Sequence, residues 1–486
     1  ARIMKPVSGR VTRRKLLKDV AMSGAIMVAM PRSYLSGFVP NQAMPAGMEA
    51  GDWPRFGYDL HNTRFNSKED VLVRNNVERL KVKWTFESDA PIQTTPTVVG
   101  DTLYFGTLSG HQYALESSTG KVKWKYFAGY NRDPDAPDQG VRSSSQYDKG
   151  RLYFANGLAQ VHCLDADSGK QLWQTQLDDD PMRNRAQILC SVAVHRDKVY
   201  VGTSSAHAQA VCLDAGTGAV RWRFYVVPDR SRDGGGSIWT SPAVDEAANI
   251  VYFDTGSVKS FMPPDPMLFT ESIIAFDAHT GEMLWYDQLR AADPFDLDYS
   301  CHPMIFDAIH PVRKYETRPS VAAGNKSGVY CFNRYTGASY WKAMLTAPST
   351  HGGPVVNSTA VAYNRVFVVS NGGGVRGRTG ISVAAALHAY TGDITWWVAN
   401  SAPIDGPVAV AGQVFYQGLQ DGTLEAMDAN SGEQLWTYQL PGPIRSGMTI
   451  ANGSLYTSTG ESGDWHMDTA VRGKTYGLYA FSLDGQ

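Results

Sequence analysis

Cysteine is scarce in this chain: there are five in 486 residues, Cys163, Cys190, Cys212, Cys301 and Cys331. No two are adjacent, and neither CxxC nor CxxCH occurs, so a dithiol redox motif and a covalently attached haem are excluded. Charge of one sign is lacking too. Lys+Arg is 45 against Asp+Glu 47, a net charge of -2, so no overall field draws the chain to nucleic acid or to an anionic membrane; either contact would need a local patch. Long apolar runs are missing, and residues 20–30, an apolar stretch near the start, are too short to cross a bilayer. What is present is 43% apolar and 11% aromatic residues, enough for a large buried core.

The apolar stretch follows Thr12-Arg13-Arg14-Lys15-Leu16-Leu17-Lys18. Paired arginines, a Leu-Lys and a mild Ala/Gly/Met-rich run resemble a twin-arginine export signal over residues 1–30, with a basic amphipathic helix as the alternative. No clear A-x-A site follows, and residues 31–50 read as linker. The expectation is an exported, periplasmic protein with one domain over residues 51–486.

Length alone would suggest two or three domains, but internal repeats overrule it. The signatures STGKVKW, DSGKQLW, GTGAVRW, HTGEMLW, YTGASYW, YTGDITW and NSGEQLW end at Trp124, Trp173, Trp222, Trp285, Trp341, Trp396 and Trp436, 40 to 63 residues apart. Each is a tight turn, where glycine takes positive φ without steric cost, leading into a strand that ends in Trp. The first repeat shows four short segments, QTTPTVV, TLYFGT, HQYALES and KVKWKYF, rich in Val, Tyr, Phe and Thr and separated by turn residues. Four antiparallel strands per repeat predict propeller blades. After Trp436 come three strands, IRSGMTIA, SLYTST and LYAFSLDG, with no fourth, while KVKWTF at residues 81–86 is a strand with no partners. Pairing them predicts an all-β, eight-bladed β-propeller closed by an N-terminal strand, and removal of residues 78–88 should destabilise the whole ring. The repeated Trp is expected on the outermost strand, its N–H meeting a turn carbonyl of the next blade. Three cysteines precede turns at matching places, in HCLDADSG, VCLDAGTG and YCFNRYTG, and read as small buried apolar residues.

The long insertions, YNRDPDAPDQGVRSSS, DDDPMRNRAQILCS, VPDRSRDGGGSIW and RAADPFDLDYSCHP, fall after the Trp of one repeat and before the first strand of the next. Those connections share one face of a propeller, and elaborated loops on a rigid scaffold are where sites lie. The last insertion sets Asp293, Asp296 and Asp298 within six residues. Such carboxylates repel unless a cation or basic group sits among them; a solvated acidic loop is the alternative.

Repeats of the form A-x-D-x-x-T-G-x-x-x-W, the opening DWPRFGYDLHNTRFN, the GNKSG loop at residues 324–328 and the closing LYAFSLDG together resemble the quinoprotein alcohol dehydrogenases, which use pyrroloquinoline quinone (PQQ). The likeness is to the polyvinyl-alcohol-dehydrogenase-like branch and covers residues 51–486. It implies Asp296 as general base in DPFDLD, Lys326 beside the quinone oxygen, Trp239 as the aromatic floor under the cofactor and Arg142 on a cofactor carboxylate. It also implies a Ca2+ or lanthanide ion on Asp296, Asp298 and Ser257. Three departures stand against that ion and its surroundings. Residues 202–209 hold no carboxylate where the family has a metal-binding Glu, Ser257 replaces the Asn of a T-G-N motif, and the adjacent cysteine pair of many members is missing. His207 and His302 with Asp298 form an alternative transition-metal set. The implied substrate is a small or polymeric alcohol, and a separate cytochrome c or other acceptor would take the electrons, since the chain has no haem motif. The rival expectation is a propeller without cofactor, a periplasmic binding or assembly scaffold like the outer-membrane assembly propellers.

Overall fold

A computed structural model describes residues 51–485 except 131–139, 180–183, 229–234, 258–266, 292, 294–296, 327, 346–358, 372–381 and 461–475. It contains eight antiparallel four-stranded sheets, one of which carries a short fifth strand. Among the described residues no helix is long and apolar enough to cross a membrane. Blade 1 is Thr97–Val99, Thr102–Gly106, His111–Glu116 and Val122–Phe127, and the other seven follow its order. The first strand starts four residues later than QTTPTVV predicts. Pro96 has no N–H to give, and the Thr95 N–H donates to Ser144 Oγ of blade 2 (2.8 Å) instead of joining the sheet.

The innermost strands touch in ring order from blade 1 round to blade 8 and back. Closure is as the repeats predict: Lys81–Ser88 pairs antiparallel with Tyr476–Ser482 and completes blade 8. Docking also follows the predicted pattern. The indole N–H groups of Trp84, Trp124, Trp173, Trp222, Trp285, Trp341 and Trp396 each donate to a carbonyl in the next blade's turn, at 2.9 to 3.4 Å. The turn glycine serves twice. Gly281 has φ 75, and a Cβ there would stand 2.6 Å from the Trp222 ring, so only glycine admits both the turn and the indole. Trp436 is the exception among the described residues, lying edge-on to Phe481 of blade 8 at 5.5 Å. All five cysteines are buried and free, and burial pushes the Cys163 thiol up to about 11.

One feature is absent from the predicted architecture. Residues 52–66, legible in sequence only as aromatic and polar with turns, run round the inside of the ring as a clasp. Backbone bonds tie Trp53 to Val98, Pro54 to Tyr147, Leu60 to Val244, His61 to Ile305, Thr63 to Val361 and Arg64 to Val410, in blades 1, 2, 4, 5, 6 and 7, at 2.8 to 2.9 Å. Asn66 Nδ2 donates to Ile450 O of blade 8 (2.9 Å). Blade 3 is reached through Gln146, which accepts from Arg55 Nε (3.1 Å) and donates to Val194 O (2.8 Å). The clasp lets one short segment satisfy backbone groups on inner strands that have no neighbour towards the axis.

Candidate active site

The site is built where blades 4 and 5 meet. Blade 4 is Ala243–Asp245, Ile250–Asp254, Ser272–Asp277 and Met283–Gln288; blade 5 is Met304–Ile309, Thr317–Asn325, Gly328–Asn333 and Ser339–Ala343. Trp239 lies ahead of the first strand of blade 4 and Asp298 ahead of that of blade 5. Ser257 and Lys326 follow the second strands of the same two blades.

Asp298 is the meeting point. Its Oδ2 accepts the Trp239 indole N–H at 3.2 Å and lies 3.8 Å from Lys326 Nζ, while its Oδ1 accepts the Ser257 backbone N–H. Both charged side chains are nearly buried, at 12% and 8% exposure, so their attraction is little screened by solvent. The backbone fixes the carboxylate from both sides. Lys326 N–H donates to Asp298 O (3.0 Å), and the N–H groups of Ser300 and Cys301 share Gly324 O (2.9 Å each). A Cβ at Gly256 would stand 3.1 Å from Asp298 Oδ2, so a side chain there would press on the carboxylate.

Beneath this group lies an acid that sequence reasoning missed. Glu271 has no exposed surface, and burial pushes its carboxyl up to about 10, helped by the neighbouring Asp293 and Asp298 and opposed by Arg290, whose Nη1 is 3.5 Å away. Asp254 is 1% exposed, and burial alone holds its carboxyl well above the usual range. Glu271 therefore carries a proton at neutral pH and adds no charge beside Asp298. The only available signal was a glutamate directly before the apolar run SIIAF.

The other predicted residues separate into three cases. Asp296 lies outside the described residues. Arg142, half-buried, precedes the first strand of blade 2, Gln146–Asp148, two blades round the ring from Trp239. Among the described residues the two histidines do not gather with Asp298 as ligands: His207 is held through its backbone in a bridge to Gly235, and His302 Nδ1 accepts the Ser241 N–H while its ring packs on Phe56 at 4.4 Å. Burial, with Arg64 and Arg55 nearby, holds His302 down at about 3, so it is a neutral imidazole with its proton on Nε2. This removes the transition-metal set.

The donors present suit a flat organic acceptor better than a hard cation. Trp239 is half-buried and tethered by its N–H, which fixes the ring as a platform, with the Lys326 ammonium close to the same Asp298 oxygen. A hard cation wants six or more oxygens. Here Ser257 turns its N–H towards Asp298, both Asp298 oxygens already face donors, and among the described residues no three His, Cys, Asp or Glu side chains gather as ligands.

Comparison with known proteins bears on the fold and the family. A PQQ family model described as the glucose/ethanol/alcohol dehydrogenase β-propeller domain matches residues 193–350. A second PQQ-type model, described as outer membrane protein assembly factor BamB, matches residues 61–222 and 379–476. Polyvinylalcohol dehydrogenase of Sphingopyxis sp. (strain 113P3) is 28% identical over 90% of this chain and 77% of its own. The quinohemoprotein alcohol dehydrogenase ADHIIG of Pseudomonas putida HK5 superimposes with a TM-score of 0.77 at 19% identity, covering 90% of this chain and 81% of that one. BamB from Moraxella catarrhalis superimposes less closely, with a TM-score of 0.57 at 16% identity over 83% and 99% of the two chains. With eight Trp-docked blades and PQQ-type models matching along most of its length, the chain belongs to the family of PQQ β-propellers.

Proposed function

We propose that this chain is an exported quinoprotein oxidoreductase that oxidises an alcohol with PQQ at the mouth of the channel over blades 4 and 5. The observation that carries the reading is the convergence of Trp239, Lys326 and Ser257 on Asp298. PQQ, when bound, supplies a two-electron quinone acceptor. Trp239 would offer it a fixed aromatic face, Lys326 a cation for the oxygen on which negative charge develops, and Arg142 a planar donor for a carboxylate. The carboxylate at Trp239 and Lys326 is Asp298, so Asp298 is our choice for the group that takes the hydroxyl proton. Asp296, which the family resemblance points to, is the competing choice. No step is routed through a metal ion.

A cytochrome c or other carrier would accept the electrons, since these 486 residues hold no CxxCH of their own. The relatives named polyvinylalcohol dehydrogenases make polymeric secondary alcohols the first substrates to try.

The test is reconstitution of purified protein with PQQ, with and without Ca2+ or a lanthanide, following the quinone spectrum and dye reduction across an alcohol panel. No spectral change and no turnover under any condition would sink the enzyme reading. Asp298→Asn should abolish turnover and keep cofactor binding, with Asp296→Asn much milder; the reverse order would move the base to Asp296.

A second reading, a cofactor-free assembly scaffold, is favoured by the BamB model's match to more than half the chain and by the carboxylate-free residues 202–209. The same reconstitution separates the two.

A further inference from the structure

With a net charge of -2, attraction to an anionic surface has to come from a local patch, and blade 5 builds one. Its first two strands, Met304–Ile309 and Thr317–Asn325, are paired at six positions, where the corresponding strands of the other seven blades are paired at three. At about 3.4 Å per residue, the extra pairs carry this hairpin about 10 Å beyond its counterparts. It ends in a tip of residues 310–316, where the other blades turn in two or four residues. The turn between the first two strands lies at the opposite end of a blade from the connections that carry Trp239, Ser257, Asp298 and Lys326. The hairpin therefore stands out from the face away from the mouth.

The tip is held in one shape. His310 Nδ1 accepts the Val312 and Arg313 N–H groups (3.1 and 3.0 Å), and the Glu316 N–H donates to Arg313 O (2.8 Å). Blade 6 braces its base. Asn364 accepts the Ile309 N–H and donates to Ile309 O (2.8 Å each), Arg318 lies 3.8 Å over the Tyr390 ring, and Tyr390 Oη donates to Glu316. What this frame holds out is apolar: Tyr315 and Val312, 87% and 81% exposed, are the most exposed large apolar side chains among the described residues. The charge around them is positive. Glu316 is taken up by Arg313 (2.9 Å) and Tyr390, which leaves the Lys314 ammonium as the net charge of the tip. Burial holds the His388 imidazole below its ordinary value, and Lys314, Arg365 and His310 add to that against Asp393, so basic groups of blades 5 and 6 share one neighbourhood.

We propose that this hairpin docks the protein on an anionic lipid surface, with Val312 and Tyr315 entering the headgroup layer and Lys314 and Arg365 lying over the lipid phosphates. A tip already fixed in shape gives up little conformational freedom on binding. Two apolar side chains on a point about 10 Å clear of its neighbours offer a protein partner too little area for a stable interface, whereas a bilayer yields around them. A tyrosine suits the boundary between headgroups and acyl chains, and each cation near an anionic leaflet adds to the attraction.

The experiment uses the full chain, with Val312→Cys carrying an environment-sensitive maleimide dye; the five native cysteines are buried and free. Phosphatidylcholine vesicles with phosphatidylglycerol should shift the dye emission to the blue and brighten it, and phosphatidylcholine alone should do so weakly. In flotation of unlabelled protein on the anionic vesicles, Lys314→Glu and the double variant Val312→Ser with Tyr315→Ser should each weaken partitioning about tenfold, with melting midpoints like the wild type because the side chains are exposed. A dye unmoved by anionic vesicles would overturn the proposal. Flotation that survives both tip variants would also overturn it, since the basic and apolar residues 12–30 would then carry the binding.

Discussion

The two ends of the propeller channel are built on opposite plans. The floor is one continuous segment, residues 52–66, bonded directly to seven blades and through Gln146 to the eighth. The mouth is assembled from four short stretches, around residues 239, 257, 298 and 326, contributed by only two blades. A segment that touches every blade couples them all, so damage there spreads through the whole ring. Four stretches meeting at one carboxylate can be altered with only local consequences. Stability and chemistry are thus separated along the channel axis, and each end can be tested without disturbing the other.

The largest effect should come from the mouth. Asp298→Asn keeps shape and most hydrogen bonds but loses the base, so turnover per folded molecule by the reconstituted protein should fall about 10³-fold, with a lower melting midpoint as well because Lys326 keeps its charge without its partner. Undiminished turnover per folded molecule would take the base away from the mouth.

At the floor the reverse is expected. Asn62 Nδ2 lies 3.1 to 3.2 Å from the carbonyls of Ser241, Pro242 and Pro303. Asn62→Ala leaves them buried and unpaired, for a loss of about 2 to 3 kcal/mol in denaturant unfolding, with PQQ-dependent turnover per folded molecule unchanged.

Glu271 sharpens the contrast by pH. Its carboxyl stands at about 10 in the fold against an ordinary 4.5, so the folded state holds a proton that the unfolded chain has lost. The stability it contributes is complete below pH 4.5 and drains away as pH rises towards 10. Glu271→Gln should flatten that decline, so melts taken from pH 6 to 10 should show the variant gaining on the wild type as pH rises. Parallel curves would count against a protonated Glu271.

The smallest effect belongs to the docking repeat that differs from its copies. Trp285→Ala, which empties a buried slot and orphans the Arg334 carbonyl, should cost about 3 to 5 kcal/mol. Trp436→Ala should cost about 1 to 2 kcal/mol, because that ring is only half-buried and packs edge-on to Phe481. Equal losses would show that Trp436 docks like the rest.

The ring and its closure were legible because both rest on local, repeated chemistry: a Thr-Gly turn, a strand, a Trp whose N–H needs a carbonyl. The clasp was not. Arg55, Asn62 and Arg64 bond to carbonyls and side chains as much as 384 residues away in sequence, and no spacing in the chain announces such partners. At the mouth, Trp239, Lys326 and Asp298 were singled out before any geometry was known. Their mutual contact was not foreseen, and neither was the Ser257 backbone N–H that takes the place of an amide side chain. Glu271 stayed hidden because burial, which alone makes it unusual, is invisible in a single acidic letter.

Just ahead of the inner strands, backbone N–H groups reach across to the next blade's side chain: Thr95 to Ser144, Ser144 to Ser191, Ser191 to Ser241, and then Ser241 to His302. Three of these links are hydroxyls and the fourth is an imidazole, whose nitrogen stands farther from its Cα than a serine oxygen does. Each link acts as a spacer between neighbouring blades, and the longest one is inserted between blades 4 and 5. The seam over which Trp239 and Asp298 meet is thus gauged by a different part from the three seams before it, a ring that also packs against Phe56 of the clasp and so ties the seam to the segment that runs round all the blades.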